Sequence, residues 1–374
     1  MEKNEKQRNR SLSNLPLDLI GSILSRLPVK CLLQLKCVCR AWRDLISNPK
    51  FAKYHLKHFI IQEKLMLMEH FLYPVQYDGL NSVVEELDYP VTPSSVYVFF
   101  NIVGSCNGLL LINAKNDALV LWNPSTREAR ELPESPIEFP TRSRKCLSTV
   151  YGFGYDSFAD DYKLVRVVTF ATERFETVVK LYSLGTNSWK RIEDFPYSVP
   201  NKSDGIFVNG ALHWLVYLEN DLVCPYFVSY LDLAEEKYGW LELPDYESGQ
   251  SFCDIGVLGG CLHMYRYVSD IIFEVWSMRE YGTTESWTKF SIIVPHMTGL
   301  ENFVHVKPLC LTEKGQIILR VGRKKLVMYN PKEELFRYLR FHGLSENSVV
   351  ETYVESLVSP YNFDVPGGQY HAEW

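Results

Sequence analysis

A repeat of about 49 residues constrains the fold of this chain more than any other feature of its sequence. Each unit has a Gly-containing turn, two apolar strand-like runs, a polar turn and, in most units, an aromatic residue. The residues after the polar turn are Ala129, Trp189, Tyr238, Trp287 and Phe336, and the last four follow at intervals of 49 residues. A period of about 50 residues with several strands per unit is typical of a β-propeller with kelch-like blades.

The number of blades depends on the two ends of the repeat region. Five units are visible, and the stretches 64–73 and 349–360 at the two ends can supply a sixth. Pairing of the first and last strands would close the ring and remove an open sheet edge. We therefore predict an all-β propeller of about six blades, with five or seven blades as the alternatives.

In every unit one apolar run follows a turn. These runs are predicted to be inner strands, which line the central channel or pack between blades. They are 108–112, 162–168, 210–217, 260–267 and 315–321. The interval from Ala129 to Trp189 is 11 residues longer than the others, so the stretch 134–146 is predicted to be an inserted loop.

Residues 13–57 have the pattern of short helices. Ser13 and Asn14 are candidate caps, Pro16 suits a first helical turn, and Pro28 is expected to end the first helix. Apolar residues at helical spacing mark four helices: Leu19, Ile20, Ile23, Leu24 and Leu27; Leu32, Leu33 and Leu35; Val38, Trp42, Leu45 and Ile46; and, after Pro49, Phe51, Tyr54 and Leu56. So small a module cannot bury all of them, so some must face a partner or the large domain. The pattern alone leaves both alternatives open.

The segment from Leu15 to Trp42 resembles the F-box. It has two Leu-Pro pairs, at 15–16 and 27–28, an acidic residue at Asp18, a Leu-rich second helix and the run VCRAW. Cys31 stands where the family more often has Ser. The resemblance implies docking to a Skp-type adaptor and, through it, to a cullin. By position it assigns adaptor binding to Leu15, Pro16, Leu19, Ile20, Ile23, Leu24, Leu27, Pro28, Val38, Cys39 and Trp42.

The charge is distributed unevenly. Residues 1–60 carry 12 Lys and Arg against 4 Asp and Glu, whereas the rest of the chain carries 27 against 41. The basic residues near the helical apolar surface suit an acidic partner; they are Arg26, Lys30, Lys36, Arg40 and Arg43. Nucleic acid is not expected as a partner, because the base-reading positions would hold Leu and Ile. The acidic remainder predicts a preference for basic targets.

The repeat region resembles the F-box-associated propeller of plants, which is related to kelch repeats. The resemblance is carried by GSCNGLLLI, LWNPSTRE, YGFGYDSFADDYKLV, LYSLGTNSWK, FVNGALHWL and TYVESLV. Among the units, only one has a Gly-Gly pair, at Gly259 and Gly260. Within this group the chain is most similar to the S-locus F-box-like proteins. The resemblance implies the substrate-recognition subunit of a Skp-cullin-F-box ubiquitin ligase, whose target protein is ubiquitinated and degraded. Members of that branch include pollen factors of self-incompatibility that recognise stylar ribonucleases, and relatives with other targets.

The predicted fold class is therefore α+β multidomain, with a small helical F-box followed by an all-β propeller. The connection at 57–64 has no Gly or Pro, which indicates that the two are rigidly joined. The predicted parts are a disordered N-terminus at 1–10, the F-box at 11–57, the propeller at 58–360 and a loose tail at 361–374.

Candidates for chemistry are weak. The run 104–108 fits GxCxG, a cysteine form of the nucleophile elbow, but strand-like residues rather than a helix follow it. His213 and His263 fall at matching places one blade apart, so they are expected to pack within strands rather than to bind a metal. Asp160 and Asp161 are expected in a solvated turn. We predict no catalytic residue, cofactor or metal site.

The nine cysteines give no pair with CxxC spacing, so neither a zinc site nor a disulfide framework is expected. The N-terminus is polar, and no stretch approaches the ~20 apolar residues of a membrane span. A cytoplasmic or nuclear protein without a membrane partner is predicted.

Target binding is expected on propeller loops, because loops on a rigid scaffold often carry recognition. The candidate loops are 134–146, 170–177, 197–204, 219–226 and 279–286. Two other functions remain as alternatives. One is a propeller enzyme with a helical appendage, which would need a polar cluster in the channel, and no such cluster is predicted from the sequence. The other is an F-box scaffold or inhibitor that acts without a ligase.

Overall fold

The structure is a computed structural model. It describes residues 16–59, 63–68, 72–75, 86–88, 90, 101–114, 118–139, 146–171, 176–195, 197, 203–217, 226–244, 254–268, 272–293, 306–322, 325–339, 341 and 349–361. The predicted disordered N-terminus, the candidate caps Ser13 and Asn14, the interface residue Leu15 and most of the predicted loose tail lie outside the described residues.

Four short helices form the N-terminal module, as the sequence predicts. They are α1 (Leu17–Leu24), α2 (Val29–Leu35), α3 (Arg40–Ile46) and α4 (Pro49–His58). Pro16 and Pro28 precede α1 and α2 as N-cap residues, where a missing N–H leaves no helical hydrogen bond unmade. The N-cap of α1 is therefore Pro16, whose carbonyl accepts the N–H of Ile20 at 3.1 Å, rather than Ser13 or Asn14.

The helical module has a small core of its own. Its buried apolar residues are Leu24, Val29, Leu32, Leu45, Ile46, Phe51 and Ala52. His55 is also buried, and its Nε2 lies 2.8 Å from the carbonyl oxygen of Leu27, which joins α4 to the end of the α1 turn. Burial lowers the pKa of His55, so the neutral imidazole donates this hydrogen bond.

The rest of the described chain forms 23 strands in six antiparallel sheets. One sheet contains β1 (Glu63–Met68), β2 (Leu72–Val75) and β23 (Val349–Val354). Five sheets have four strands each: β3 (Asn101–Cys106), β4 (Leu109–Asn113), β5 (Leu119–Asn123) and β6 (Glu128–Glu131); β7 (Cys146–Asp156), β8 (Asp161–Phe170), β9 (Glu176–Ser183) and β10 (Ser188–Arg191); β11 (Ile206–Val208), β12 (Ala211–Tyr217), β13 (Tyr226–Asp232) and β14 (Tyr238–Leu241); β15 (Asp254–Leu258), β16 (Cys261–Tyr267), β17 (Ile272–Met278) and β18 (Trp287–Ile293); and β19 (Val306–Leu311), β20 (Ile317–Val321), β21 (Lys325–Asn330) and β22 (Leu335–Leu339).

The six sheets are the blades of a propeller, and the ring closes as predicted. Strand β1, which follows the helical module, pairs antiparallel with β23 near the other end of the chain. In this register Leu65 lies opposite Thr352 and Leu67 lies opposite Val350. Pairing of the first and last strands of the propeller gives each of them a partner and removes an open edge.

The repeat positions recognised in the sequence share one place in the fold. Each lies on the fourth strand of its blade, opposite a residue near the end of the third. The pairs are Trp122 with Ala129, Tyr182 with Trp189, Leu231 with Tyr238, Met278 with Trp287 and Tyr329 with Phe336. The polar turn of the repeat therefore joins the last two strands of each blade.

The structure decides between the two places predicted for the inner runs. The strands around the axis are β3, β7, β11, β15, β19 and β23, which contact one another in a ring. The runs predicted to line the channel or to pack between blades (108–112, 162–168, 210–217, 260–267 and 315–321) form the second strands, β4, β8, β12, β16 and β20, which do not line the channel and pack between blades. A second strand is covered on both faces, as in β8, where every residue is buried. The first strands have a weaker apolar pattern because glycines lie in them or directly before them, such as Gly152 in β7 and Gly205 before β11, which form a bridge between neighbouring blades.

The two faces of the propeller follow from this order. The bridge between Gly152 and Gly205 is parallel, so the first strands of neighbouring blades run in the same direction. Turns between first and second strands and between third and fourth strands therefore lie on one face. The other connections lie on the opposite face. Lys53 of α4 contacts Asp160 in the β7–β8 turn, which places the helical module on the first of these faces.

Candidate functional site

Apolar side chains point into solvent on the helical module. Leu19 and Ile23 lie one turn apart on α1 and are 51% and 55% exposed, and Val38 in the turn before α3 is 60% exposed. Leu24, on the opposite side of α1, is buried in the core. Three large apolar side chains exposed on so small a module mark a candidate protein-binding surface. We call Leu19, Ile23 and Val38 the apolar face.

The other residues assigned by resemblance lie in different environments. Leu24 belongs to the helical core, and Ile20, Leu27 and Trp42 are half-buried against that core. Pro16, Pro28 and Cys39 are exposed. The structure thus separates residues available to a partner from residues that support the module.

Basic residues lie on α2 and α3 and in the turns after α1 and α2, in the same module as the apolar face. Four of them are exposed: Arg26, Lys30, Arg40 and Arg43. Lys36 is half-buried, and burial lowers the pKa of its ammonium group although Glu128 of the propeller opposes the shift. Exposed apolar groups together with cationic groups suit a partner that is apolar at the contact and acidic around it.

The helical module contacts the propeller at Leu357 and at Lys53. Leu357, which follows β23, is buried in the same cluster as Leu24 and Val29. Lys53 forms an ion pair with Asp160, with 2.5 Å between Nζ and Oδ2. Partial burial of Asp160 opposes its ionisation, but hydrogen bonds from Lys53 and Tyr155 lower its pKa overall. The rigid connection at 57–64 stays a prediction, because part of that segment lies outside the described residues.

Asp160 and Asp161 were expected in a solvated turn, and the structure places Asp160 exposed in that turn but Asp161 buried at the beginning of β8. Asp160 is engaged by the helical module. Asp161 is buried, and its Oδ1 accepts the N–H of Gly185 at 2.8 Å. Both carboxylates therefore have structural roles, which the turn pattern around them does not reveal.

Four of the five candidate recognition loops connect strands on the face opposite the helical module. They are 134–146, 170–177, 197–204 and 219–226, and much of each lies outside the described residues. The fifth, 279–286, joins β17 to β18 and lies on the face of the helical module; it ends in a 3₁₀ turn at Thr284–Ser286.

The central channel contains a cavity of about 400 Å³ with charged walls. Near the beginning of the inner strands, on the face opposite the helical module, it is lined by Asp204, Asp254, Lys307 and Glu351. Asp204 Oδ1 accepts the N–H of Tyr151 at 2.8 Å, yet burial raises the pKa of Asp204 to about 6. Glu63 lines the same cavity, and burial raises its pKa to about 7. The channel is therefore polar and mainly acidic, which sequence reasoning missed.

The weak candidates for chemistry have structural explanations. Cys106 ends β3 and is followed by a tight turn and β4, so the elbow geometry of strand, turn and helix is not present there. Cys106 is buried, which raises the pKa of its thiol and disfavours the nucleophilic thiolate. His213 and His263 are buried within their blades. Among the described residues no group of three or more His, Cys, Asp or Glu is arranged to hold a metal ion. No described helix has the length and apolar character to cross a membrane.

Comparison with known proteins agrees with both parts of this architecture. The family model of the F-box domain matches residues 12–54, and that of the F-box associated beta propeller domain matches residues 63–360. The chain is an F-box protein with an F-box-associated propeller. F-box protein CPR1 of Arabidopsis thaliana is 30% identical, over 97% of this chain and 93% of that protein. An F-box/kelch-repeat protein of the same plant is 33% identical, over 93% of this chain and 96% of that protein.

Membership in this family indicates what kind of partner each of the two domains binds. The F-box implies binding of a Skp-type adaptor, and the propeller implies binding of another protein. The apolar face lies within the matched F-box, and the candidate recognition loops lie within the matched propeller. Leu357 also packs in the F-box core, although it lies some 300 positions further along the chain and outside the residues that the F-box family model matches.

Proposed function

We propose that this F-box protein is the substrate-recognition subunit of a Skp-cullin-F-box ubiquitin ligase. The observation that carries this proposal is the apolar face of Leu19, Ile23 and Val38, exposed on a module whose core is otherwise buried. Burying these side chains against an adaptor removes apolar surface from water, which stabilises the complex. The cationic groups nearby would orient an acidic adaptor.

In this proposal the propeller holds a target protein on the face opposite the F-box. Four recognition loops and the charged mouth of the channel share that face. The acidic mouth and the acidic composition of residues 61–374 favour a basic target segment. The chain itself contributes binding and orientation, and other subunits transfer ubiquitin before the target is degraded. The complex would work in the cytoplasm or nucleus without a cofactor in this chain.

The adaptor contact can be tested without disturbing the core. Ile23→Asp places a carboxylate on the apolar face, whereas a change at Leu24 would unfold the module because Leu24 is only 2% exposed. We expect Ile23→Asp to weaken binding of a purified plant Skp-type adaptor by about 100-fold or more, since burying an unpaired charge costs several kcal/mol.

Ile293→Asp is the matched control. Ile293 is 61% exposed at the end of β18 on the propeller, similar to the 55% of Ile23. The control should bind the adaptor as the wild type does. Equal binding by the wild type and both variants would show that the adaptor does not use this face. Absence of binding by the wild type would remove the ligase proposal.

The identity of the target is a finer proposal. A stylar ribonuclease, as in self-incompatibility, is supported only by the sequence resemblance to S-locus F-box-like proteins. Binding of purified basic stylar ribonucleases to the wild-type chain tests it, with an acidic ribonuclease as the control. Cullin recruitment and the lifetime of the target protein distinguish a ligase subunit from a scaffold or inhibitor. Only a ligase subunit recruits a cullin and shortens the lifetime of its target.

A further inference from the structure

After the last strand of the propeller, the chain passes next to the F-box and places one side chain in the F-box core. We call residues 355–361, which follow β23, the closing segment. Within it, Ser356, Leu357, Val358 and Pro360 are buried. A segment with no helix or strand of its own is rarely so buried unless it is held by neighbours on several sides.

The propeller holds the closing segment by hydrogen bonds. Asn123, at the end of β5, donates from Nδ2 to the carbonyl oxygens of Val358 at 2.7 Å and Ser356 at 3.1 Å. Arg130 on β6 donates to the carbonyl oxygen of Pro360 at 3.2 Å. Val358 also packs in the cluster between the β3–β6 and β7–β10 blades. The path of the segment is therefore fixed by the propeller.

Leu357 points the other way. It is 7% exposed and packs in the F-box core, in the cluster of Leu24 and Val29. No other residue of the propeller domain is among the buried members of that cluster in the described chain. The F-box core thus takes one of its buried side chains from a position more than 290 residues beyond the end of α4.

Leu357 reaches this place through the closure of the ring. The closing segment continues directly from β23, and β23 is held by β1, the strand that follows α4. The F-box, β1, β23 and the closing segment therefore form one loop of contacts. Pairing of β23 with β1 therefore adds to the contacts of Asn123 and Arg130 that hold Leu357 next to the F-box core.

We propose that Leu357 is a positioning residue that couples closure of the propeller to formation of an adaptor-binding F-box. A module this small is marginal without added contacts, so loss of one buried Leu weakens it strongly. A chain with an open or unfolded propeller would then present a poorly ordered F-box, and only a complete receptor would enter the ligase. Entry of only complete receptors into the ligase rests on the proposed adaptor binding, whereas the coupling of propeller closure to F-box formation does not.

Hydrogen exchange of the full-length chain without adaptor tests the coupling directly. We expect Leu357→Ala to increase exchange of the α1–α4 amides by about tenfold or more while the propeller strands change little, because exchange reports local opening. Leu357→Met, which keeps the volume, should restore protection. Leu241→Ala is the matched control: Leu241 is 6% exposed in a propeller cluster that contains no residue of the closing segment, and its loss should leave α1–α4 protected.

A second variant acts from the closing strand. Val350 on β23 is buried in a propeller cluster and has no part in the F-box core. Val350→Ala should increase exchange in both β23 and α1–α4 if closure is transmitted to the F-box. Adaptor affinity of both variants should fall with F-box protection. Unchanged α1–α4 exchange in Leu357→Ala would overturn the proposed coupling even if the wild type binds the adaptor. If the wild type does not bind the adaptor, the proposed ligase function fails, and the exchange measurement still decides whether the coupling exists.

Discussion

His213 on β12 and His263 on β16 occupy equivalent positions in neighbouring blades, but only His213 has hydrogen-bond partners. His213 Nδ1 lies 3.2 Å from the carbonyl oxygen of Ile206, and its Nε2 lies 2.7 Å from the hydroxyl of Tyr281. Both ring nitrogens of His263 are buried without a partner in the described chain. Burial lowers the pKa of His213 to about 4. Burial, with the charge of Lys307, lowers that of His263 to about 3.

His263→Leu should stabilise the protein in mild acid. In the unfolded chain this imidazole titrates near 6.5, and in the folded chain near 3. Between these values the unfolded state binds the extra proton, so the histidine lowers the free energy of unfolding as pH falls below 6.5. We expect the variant to gain about 2 kcal/mol over the wild type between pH 7.5 and pH 5. Urea unfolding of both proteins at each pH measures this.

At pH 7.5 the same variant should differ little from the wild type, because an apolar group of similar size replaces a neutral ring whose nitrogens make no hydrogen bond. A stability difference that is independent of pH would contradict the assigned protonation. Comparison with the wild type at each pH also cancels the carboxylates that titrate in this range.

His213→Leu should behave differently at neutral pH. The substitution removes the acceptor of the Tyr281 hydroxyl and the donor to the Ile206 carbonyl. We expect it to lower the free energy of unfolding by about 1–3 kcal/mol at pH 7.5, the usual effect of leaving a buried polar group unpaired. Urea unfolding of the two Leu variants side by side measures the contrast. Equal stabilities would mean that the hydrogen bonds of His213 contribute nothing.

Asp204→Asn should stabilise the propeller near neutral pH. Burial raises the pKa of Asp204 from 3.8 to about 6, so the folded state binds a proton more readily than the unfolded state. This carboxylate therefore lowers stability above pH 6 and ceases to do so as pH falls toward 3.8. The amide oxygen of Asn can still accept the Tyr151 N–H. We expect a gain of about 3 kcal/mol at pH 7.5 that falls below about 1 kcal/mol at pH 4. Thermal unfolding at both pH values tests it, and a gain at pH 4 that equals or exceeds the gain at pH 7.5 would argue against the sign of this shift.

The sequence predicted what depends on period and on local pattern. The spacing of Trp189, Tyr238 and Trp287 gave the blades because one residue in each fourth strand packs in the same way. The closing sheet could be predicted from the strand-like stretches at 64–73 and 349–360, because a closed ring requires the first and last strands to pair. The resemblance to the F-box located Leu19 and Ile23, which the structure exposes.

The remainder depends on contacts between distant parts of the chain. Leu357 is one Leu in a run of mixed residues, and nothing around it indicates that it enters the F-box core. Leu24 and Ile23 are neighbours with the same apolar character, and only the packing of α1 shows that one is core and the other surface. The channel carboxylates are contributed by separate blades, so their proximity has no signal within any single unit.

Gly108→Ala should destabilise the protein more than Gly210→Ala. Both glycines end two-residue turns between first and second strands and have positive φ, 84° and 78°, so Ala is strained at either place. A Cβ at Gly108 would overlap with Ser356 Oγ and lie 2.8 Å from the Val354 carbonyl oxygen, whereas a Cβ at Gly210 meets nothing within 4 Å. We expect a loss of about 1 kcal/mol for Gly210→Ala and at least about 2 kcal/mol for Gly108→Ala.

Because Ser356 belongs to the closing segment, Gly108→Ala should also increase hydrogen exchange in α1–α4, and Gly210→Ala should not. Urea unfolding measures the stabilities, and exchange measures the local effect. Equal losses in the two variants would mean that the closing segment does not pack against the β3–β4 turn as the structure has it. A larger loss for Gly108→Ala with a protected F-box would instead separate the packing of the segment from the role of Leu357.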